Sequence, residues 1–295
     1  MNYVLVGGLG NINQPLVKRL IAAGQAVTVI SSNPERSAAI VAAGARPAIG
    51  KLEDVDFLTA AFKGADVVYT MVPPKYDAPD WKKFIHQIGI NLATAIGAAG
   101  VKKVVNLSSI GAHLPVGCGP VSGLYFVEQE FNKLESVDVL HLRPSYFYNN
   151  FLNAIGMIKT AGFYGNNYSA GSLLPLTAPV DIAAVAAEKL LNPSFSGKSV
   201  LYITSDEKTS LEVTAAFGAA IGKPDLPYVE FSDEDALKGM LGAGLPQDIA
   251  LNFVEMGQAL RTGIMIGDYL KHRGSLQETK LADFAKSFAE AYAKA

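Results

Sequence analysis

The residues best suited to chemistry in this sequence form a glycine-rich turn close to the N-terminus. An apolar run at residues 3–6, typical of a buried parallel strand, leads directly into the turn at residues 7–10. Apolar residues then recur at helical spacing from Leu16. A strand, a tight turn and a helix in this order leave free backbone N–H groups at the positive end of the helix dipole, where a pyrophosphate binds. The spacing therefore predicts a nucleotide-binding turn.

The turn departs from the full dinucleotide-binding pattern at one position. Gly7 allows the tight turn and Gly10 allows the backbone to approach a phosphate. Asn13 stands where a third glycine normally lets the helix and the strand pack closely. We expect a slightly displaced helix to accommodate Asn13. The alternative is a tight turn that binds no nucleotide.

A second polar group follows the next predicted strand, at residues 26–30. A carboxylate at this strand end would accept hydrogen bonds from both adenosine ribose hydroxyls and select NAD. The sequence instead supplies hydroxyls, an amide and a guanidinium, from Ser31, Ser32, Asn33 and Arg36. These groups suit a 2′-phosphate and favour NADP(H) over NAD(H). The alternative is that Arg36 is only a solvated residue of the following helix.

Other reactive side chains are few. His113 follows a Ser-Ser turn at a predicted strand end and titrates near neutral pH, so it is a candidate proton donor. Cys118 is the only cysteine, which excludes an internal disulfide and suits a reducing compartment, and between two glycines it could be an exposed thiol. The four histidines lack metal-ligand spacing, and no G-x-S-x-G turn is present. We expect neither a metal site nor a serine hydrolase.

The elements that must position these residues alternate between strand and helix. Strands are predicted at residues 3–6, 26–30, 45–50, 66–72, 103–107, 138–142 and 200–204. Helices are predicted at residues 34–43, 81–99, 124–134, 210–221, 232–243 and 279–295, with another that Asp181 caps. This order predicts a doubly wound parallel sheet of the Rossmann type with right-handed crossovers. We expect an NAD(P)-binding domain at residues 1–150 and a smaller α/β substrate or partner lobe at residues 151–295, interleaved through the sheet.

Composition limits the class of protein. The 295 residues are 49% hydrophobic and 18% charged, enough for a large core in one or two domains. The net charge of −2 predicts no general attraction to nucleic acid or to an anionic membrane. We read no signal peptide, and no apolar run reaches the roughly 18 residues of a spanning helix. A cytoplasmic protein is expected.

Several stretches in order resemble the NmrA-like proteins, a family of atypical short-chain dehydrogenases/reductases. They are residues 7–10, 72–74, 108–112, 142–144, 146–150, 180–183 and 222–228. The resemblance covers the chain to about Gly267 and implies a Rossmann domain that binds NAD(P), with a C-terminal region that closes over a substrate cleft. The cofactor-binding residues that it implies are Gly7, Gly10, Asn11, Ile12, Ser31, Ser32, Asn33, Arg36, Met71, Val72, Pro73, Ser108, Pro144 and Tyr146.

The catalytic pair of the wider family is missing. Its enzymes use a tyrosine as general acid, four residues before a lysine that lowers the pKa of the tyrosine, and none of the twelve tyrosines here has such a lysine. Aligning the helix on Glu130 and Leu134 places Ser122 and Phe126 at these positions. Ser109 matches the serine of the family and could bond a substrate carbonyl, or it could only satisfy the strand end.

Three functions stay open. The first is an NADPH-dependent oxidoreductase acting on a quinone or a similar flat carbonyl, because hydride transfer to a quinone needs positioning more than a strong protein acid. Its substrate would stack on aromatic rings from Tyr146, Tyr148, Phe163 and Tyr164. The second is a non-catalytic NADP(H) redox sensor that binds a regulatory protein partner. The third is a relative that has lost cofactor binding, with Asn13 and Lys51 as the departures that suggest it.

Overall fold

The computed structural model describes residues 1–295. Its strands are β1 (Asn2–Val6), β2 (Ala26–Ser31), β3 (Arg46–Ile49), β4 (Val67–Thr70), β5 (Lys103–Leu107), β6 (Asp138–Pro144), β7 (Tyr146–Phe147), β8 (Tyr164–Asn166), β9 (Leu173–Thr177), β10 (Lys198–Ile203), β11 (Asp206–Thr209) and β12 (Tyr228–Glu230). Its α-helices are α1 (Asn13–Ala22), α2 (Ser37–Ala42), α3 (Val55–Phe62), α4 (Trp81–Ala99), α5 (Val121–Asn132), α6 (Ile155–Ala161), α7 (Pro179–Leu191), α8 (Ser210–Ala220), α9 (Asp233–Gly242), α10 (Gln247–Arg261), α11 (Gly267–Lys271) and α12 (Leu281–Lys294). Two 3₁₀ helices cover Pro34–Arg36 and Tyr148–Ala154.

A seven-stranded parallel sheet forms the centre, in the order β3–β2–β1–β4–β5–β6–β10. The chain starts at β1, runs to one edge through β2 and β3, and then returns to build the other side. This reversal confirms the predicted doubly wound Rossmann-type sheet. The carboxyl ends of β1 and β4 meet at the reversal, where ligands of such sheets bind.

Alternation along β1 explains how both faces of the sheet are covered. Tyr3 and Leu5 belong to a buried cluster with apolar residues of α1 and α7. Val4 and Val6 belong to a second cluster with apolar residues of α3, α4 and α5. Because successive side chains of a strand point to opposite faces, one continuous apolar run serves both layers.

Helix ends on the second layer follow ordinary capping rules. The side chain of Asp54 accepts from the N–H of Phe57 at the start of α3, and Asp80 accepts from Lys83 at the start of α4, both at 2.9 Å. Gly100 ends α4 in the left-handed conformation, with φ +72°. None of the helices is both long and apolar enough to cross a membrane.

The second half of the chain contributes to two regions. β10 pairs with β6 over six residues and so completes the main sheet, while α7 packs on α1. Two small sheets, β11–β9–β7 and β12–β8, surround a separate apolar cluster with α8 and α12. At the junction with the first half, the sole tryptophan, Trp81, packs edge-on against Phe253 of α10 at 5.4 Å between ring centroids. Its backbone N–H donates to Asp248.

Asp181 does not cap α7, which corrects the prediction made from the sequence. The helix begins two residues earlier, at Pro179, because proline is well suited to a first helical turn. The buried carboxylate of Asp181 instead accepts from the hydroxyls of Ser205 (2.6 Å) and Thr279 (3.0 Å). Thr279 is thereby held outside the last helix, which begins at Leu281 instead of at residue 279.

Candidate cofactor and substrate cleft

The backbone of the glycine turn offers unpaired hydrogen-bond donors. No side chain caps α1, and its first helical hydrogen bond runs from the N–H of Gln14 to the carbonyl of Gly10. No group in the chain accepts from the N–H of Asn11, Ile12 or Asn13. A Cβ built on Gly10 would meet no atom within 4 Å, so the space in front of the turn is open. The turn therefore fits a phosphate, which accepts several N–H bonds at a helix N-terminus.

Gly7 is required by both conformation and space. Its φ of +109° lies in the region that favours glycine. A Cβ on Gly7 would lie 2.5 Å from Sδ of Met71, at the end of β4. Met71 thus covers one side of the turn, and the half-buried Val72 and Pro73 continue from it along the loop after β4.

Asn13 fills the position of the third glycine with a hydrogen bond. Its Nδ2 donates to the carbonyl of Val6, the last residue of β1, at 2.9 Å. The side chain is 4% exposed, and Oδ1 is buried without a partner. The start of α1 is therefore joined directly to the end of β1.

The polar residues after β2 lie against the same turn. Ser31 is buried, and its hydroxyl bonds with the backbone of Asn33, while Ser32 and Asn33 are exposed. Nη1 of Arg36 donates to the carbonyl of Leu9 at 3.4 Å, which brings the guanidinium over the glycine turn. No carboxylate pairs with Arg36, although its guanidinium is exposed. An unpaired cation beside the phosphate-binding turn suits an additional phosphate.

The two serines after β5 have different surroundings. The hydroxyl of the buried Ser108 donates to Oε1 of Glu128 at 2.5 Å. Ser109 is half-buried, its hydroxyl donates only to the neighbouring carbonyl of Ile110, and no group accepts from its N–H. Of the two, Ser109 alone has an unpaired N–H, because the N–H of Ser108 donates to the carbonyl of Leu142.

A buried charge network lies behind Ser108. Arg143 of β6 makes a bidentate pair with Glu128 of α5, with Nε to Oε1 at 3.0 Å and Nη2 to Oε2 at 2.6 Å. Glu128 is 2% exposed. Nη1 of Arg143 also donates to the hydroxyl of Tyr202, which donates to Asp268 at 2.6 Å. Five hydrogen-bonded side chains, from Ser108 to Asp268, thus connect the end of β5 to α11 in the C-terminal region.

His113 lies close to the charged groups of this network. Burial lowers the pKa of His113, partly offset by the field of Asp268. Its Nδ1 is buried without a partner. The imidazole is therefore held neutral near pH 7, and the one side-chain hydrogen bond of Ser109 goes to Ile110 and not to His113.

The positions of the missing catalytic pair hold side chains with structural roles. The hydroxyl of Ser122 accepts from the N–H of Cys118 at 3.2 Å and is buried. Phe126 is 37% exposed and packs on His86 with ring centroids 5.0 Å apart. Cys118 is not an exposed thiol: it is fully buried, and burial raises its pKa to about 12. None of these residues supplies an acid or a nucleophile to the cleft.

Two neighbouring aromatic residues after β6, Tyr146 and Phe147, pack on different apolar clusters. Tyr146 packs with the C-terminal cluster, its ring 5.1 Å from that of Phe151, and burial raises the pKa of its hydroxyl to about 12. Phe147 packs instead on the cluster that contains Ile12 of the glycine turn. Pro144 precedes them and is buried. Phe147 therefore packs on the cluster of the glycine turn and Tyr146 on the C-terminal one, a division that strand alternation after Pro144 could have indicated.

A cavity of about 400 Å³ lies beside the glycine turn, between Asn11, the 3₁₀ helix Tyr148–Ala154, α7 and α12. It is lined by Asn11, Tyr148, Asn149, Ala178, Pro179, Val180, Thr279, Asp283, Phe284 and Ser287. Tyr148 and Phe284 stack with ring centroids 5.1 Å apart and planes 12° apart. The cavity thus combines aromatic surface, two amides and two aliphatic hydroxyls, and Asn11 connects it to the glycine turn.

Three of the four expected substrate aromatics, Tyr146, Phe163 and Tyr164, do not line this cavity. Phe163 packs edge-on against Phe231, and the hydroxyl of the buried Tyr164 bonds with that of Tyr168 at 3.1 Å. Both rings belong to the packing around β8 and β12. Tyr164 is a core residue, because its hydroxyl is already satisfied and its ring is covered.

Known proteins resemble this chain in sequence and in fold. Residues 7–128 match a family model described as NAD(P)H-binding. An NAD(P)H azoreductase from Xenophilus azovorans is 28% identical over 296 residues, 99% of each chain. The structure of an NADPH-dependent quinone oxidoreductase from Escherichia coli, complexed with NADPH, superimposes with a TM-score of 0.82 at 19% identity, covering 97% of this chain and 99% of the other. A triphenylmethane reductase from Citrobacter sp. gives a TM-score of 0.81 at 19% identity, covering 98% and 100%.

Proposed function

We propose that this NAD(P)H-binding Rossmann protein is an NADPH-dependent reductase that delivers a hydride to a flat, conjugated acceptor such as a quinone or an azo compound. The observation that carries the proposal is the open glycine turn, with three unpaired N–H donors beside an unpaired guanidinium. The azoreductase and quinone oxidoreductase among its relatives support the same class of acceptor.

NADPH is preferred over NADH because of the groups at the end of β2. Ser31, Ser32 and Asn33 offer hydroxyl and amide groups, and no carboxylate stands there to accept from two ribose hydroxyls. Arg36 lies over the turn and has no acidic partner. A 2′-phosphate on the ribose gives this cation the partner that the chain does not provide.

The chain holds the reactants and contributes no strong acid. When bound, the reduced nicotinamide supplies a hydride to the acceptor. A quinone that gains this hydride and one proton becomes a hydroquinone, and an azo group becomes a hydrazine, so the proton can come from water. The N–H of Ser109 has no partner in the chain and can donate to the acceptor oxygen or nitrogen, and the hydroxyl can do so by rotating away from the carbonyl of Ile110. Tyr146, with a pKa of about 12, serves as a ring surface and not as the proton donor.

Aromatic surface orients the acceptor. Tyr146 is half-buried after β6, and the half-buried Phe284 lines the cavity next to the turn, with the fully buried Tyr148 stacked behind it. Flat rings stack on such surfaces, and the amide of Asn149 can bond a polar substituent. Positioning of this kind contributes most when the acceptor reacts without a catalytic acid.

The proposal is tested by nucleotide binding followed by turnover. Calorimetry with NADPH, NADP⁺, NADH and NAD⁺ should give the tightest binding for NADPH or NADP⁺. Purified protein with NADPH should then oxidise the cofactor in the presence of a quinone panel and a neutral azo compound. Binding without turnover on any acceptor would contradict the reductase and favour the NADP(H) sensor. Absence of binding would mean that the glycine turn is only structural.

Ser109→Ala should lower kcat/KM for the quinone about fivefold while the Kd for NADPH is unchanged, since one neutral hydrogen bond contributes about 1 kcal/mol. Ser108→Ala is the matched control. It should lower thermal stability, because it removes a partner of the buried Glu128, and it should leave the acceptor KM unchanged. Equal kinetic losses in both variants would argue against a role for Ser109 on the acceptor.

A further inference from the structure

Asn13 is unusual because a bulky polar residue occupies the place where close packing of strand and helix normally requires glycine. We propose that Asn13 is a positioning residue that fixes the start of α1 on the end of β1 and so aims the turn's N–H donors at a cofactor pyrophosphate. This inference rests on the proposed nucleotide binding and goes beyond it by assigning the residue that sets the geometry.

The hydrogen bond closes the glycine turn at both of its ends. Val6 is the last residue of β1 and Asn13 is the first residue of α1, so the bond from Nδ2 to the Val6 carbonyl spans the whole of residues 7–12. No side chain caps α1, so this bond is the one side-chain hydrogen bond on its first turn, beside the apolar packing of Leu16. Losing it frees the segment that carries the three unpaired donors.

The amide is suited to this position in a way that a carboxylate is not. Nδ2 must donate, since its partner is a backbone carbonyl. A carboxylate in its place would set two acceptors against each other and add a negative charge beneath the phosphates. Oδ1 is buried without a partner in the chain, so the donated bond to Val6 is the only hydrogen bond that this side chain makes.

Replacement by glycine separates two explanations of the turn. If the third glycine of the general pattern were the better residue, Asn13→Gly would bind the cofactor as tightly as the natural chain or more tightly. If the hydrogen bond positions the turn, Asn13→Gly and Asn13→Ala should weaken NADPH binding about tenfold, equivalent to about 1.4 kcal/mol. Asn13→Asp should weaken it further.

Three ligands locate the effect along the cofactor. The Kd of each variant is measured by calorimetry for NADPH, for 2′-phospho-ADP-ribose and for 2′-AMP. The first two contain the pyrophosphate and should lose affinity equally. 2′-AMP lacks the pyrophosphate. Each variant should bind it with the same Kd as the natural chain, because the proposal places its 2′-phosphate at Arg36.

Asn252→Ala provides the matched control. Asn252 is another buried asparagine on a helix, α10; its Nδ2 donates to the carbonyl of Asp248 at 2.8 Å, and its Oδ1, like that of Asn13, is buried without a partner. This variant should lose thermal stability to a similar degree as Asn13→Ala and retain its Kd for all three ligands. Loss of NADPH affinity in the control would show that general destabilisation explains the result.

Unchanged NADPH binding in Asn13→Gly, or an equal loss for 2′-AMP, would overturn the inference. These outcomes are distinct from failure of the reductase, which is measured by turnover in the natural chain. A protein that binds NADPH but reduces no acceptor would disprove the reductase while the comparison of Asn13 variants stays valid.

Discussion

Arg36 is the single residue whose charge bears most directly on the choice of cofactor. Arg36→Ala should lower kcat/KM for NADPH by about tenfold to a hundredfold, because hydrogen bonds to a charged partner contribute about 1.5–3 kcal/mol. The value for NADH should change little. The measurement is steady-state kinetics with both cofactors and one quinone.

Arg46→Ala is the control for this change in charge. Arg46 is exposed and begins β3, at the opposite end of the strand from Ile49, which pairs with Ser31. Arg46→Ala therefore removes the same charge at the opposite end of β3 from the residues that follow β2. An Arg36 variant that retains its preference for NADPH would assign the choice of cofactor to Ser31 and Ser32.

His141 gives the fold a defined response to acid. Its ring lies in a buried chain of hydrogen bonds, with Asn106 Nδ2 at 3.1 Å from Nδ1 and Asn132 Oδ1 at 3.1 Å from Nε2. Burial lowers the pKa of His141 to about 4. The imidazole is therefore neutral in the folded protein at the pH where it already binds a proton in the unfolded chain.

Stability should fall as the pH drops below about 6.5 towards 4, because the unfolded state then binds one more proton than the folded state. Between pH 7 and pH 4.5 the contribution is about 2–3 kcal/mol. Urea unfolding at these two pH values measures it. His141→Gln should reduce the difference, whereas His272→Gln, at an exposed position, should preserve it. Equal pH dependence in all three proteins would contradict the assignment.

The sequence predicts the glycine turn and the polar group after β2 more readily than it predicts the buried ion pair of Glu128 and Arg143. Gly7, Gly10 and the polar group after β2 are contiguous with strands whose apolar runs are easily read, so their positions follow from local sequence. Glu128 and Arg143 are 15 residues apart and become partners only when α5 packs beside β6. Nothing in the spacing of these two residues indicates a buried ion pair.

At the scale of elements, the pair between α5 and β6 ties the sheet to α11. Arg143→Met should cost about 3–5 kcal/mol, because it leaves the carboxylate of Glu128 buried without its cation. The double variant Glu128→Met with Arg143→Met should cost less than the sum of the two single changes. Urea unfolding of the four proteins in a double-mutant cycle gives the coupling.

Lys189→Met is the matched control for this cycle. Its ion pair with Glu188 is largely exposed, and such pairs contribute about 0–1 kcal/mol. Additive losses for Glu128 and Arg143 would show that the two side chains are not energetically coupled, in spite of their bidentate geometry.

Element boundaries show where local patterns were insufficient. The helix predicted over 124–134 is α5, Val121–Asn132, because Pro120 starts it earlier. The strand predicted over 66–72 ends at Thr70. The short strands β7, β8 and β9 lie in segments without regular alternation, and they form only because distant partners such as β11 and β12 pair with them. Such pairings depend on tertiary contacts.

At the scale of the whole molecule, the predicted division at residue 150 leaves a first part without one of its strands. β10 covers β6, and α7 covers part of the apolar cluster shared with α1. A chain of residues 1–150 would expose both surfaces. We expect it to be aggregated or unfolded by circular dichroism and gel filtration, since a sheet edge and an apolar face are left uncovered.

The full-length chain should unfold in a single transition by the same reasoning. A chain of residues 1–205, which retains α7 and β10, is the informative comparison for the shorter one. Independent folding of residues 1–150 would show that the two halves are separate units, in spite of the strand they share.

The position of Trp81 gives the protein its own optical probe. This one indole lies where the first half meets α10, so its emission comes from a single known place in the molecule. A reduced nicotinamide absorbs light at the wavelengths where tryptophan emits, and the oxidised form does not. Reduced cofactor in the cleft would therefore quench Trp81 by energy transfer, and its oxidation would restore the emission. Each turnover could then be followed by fluorescence without attaching a label.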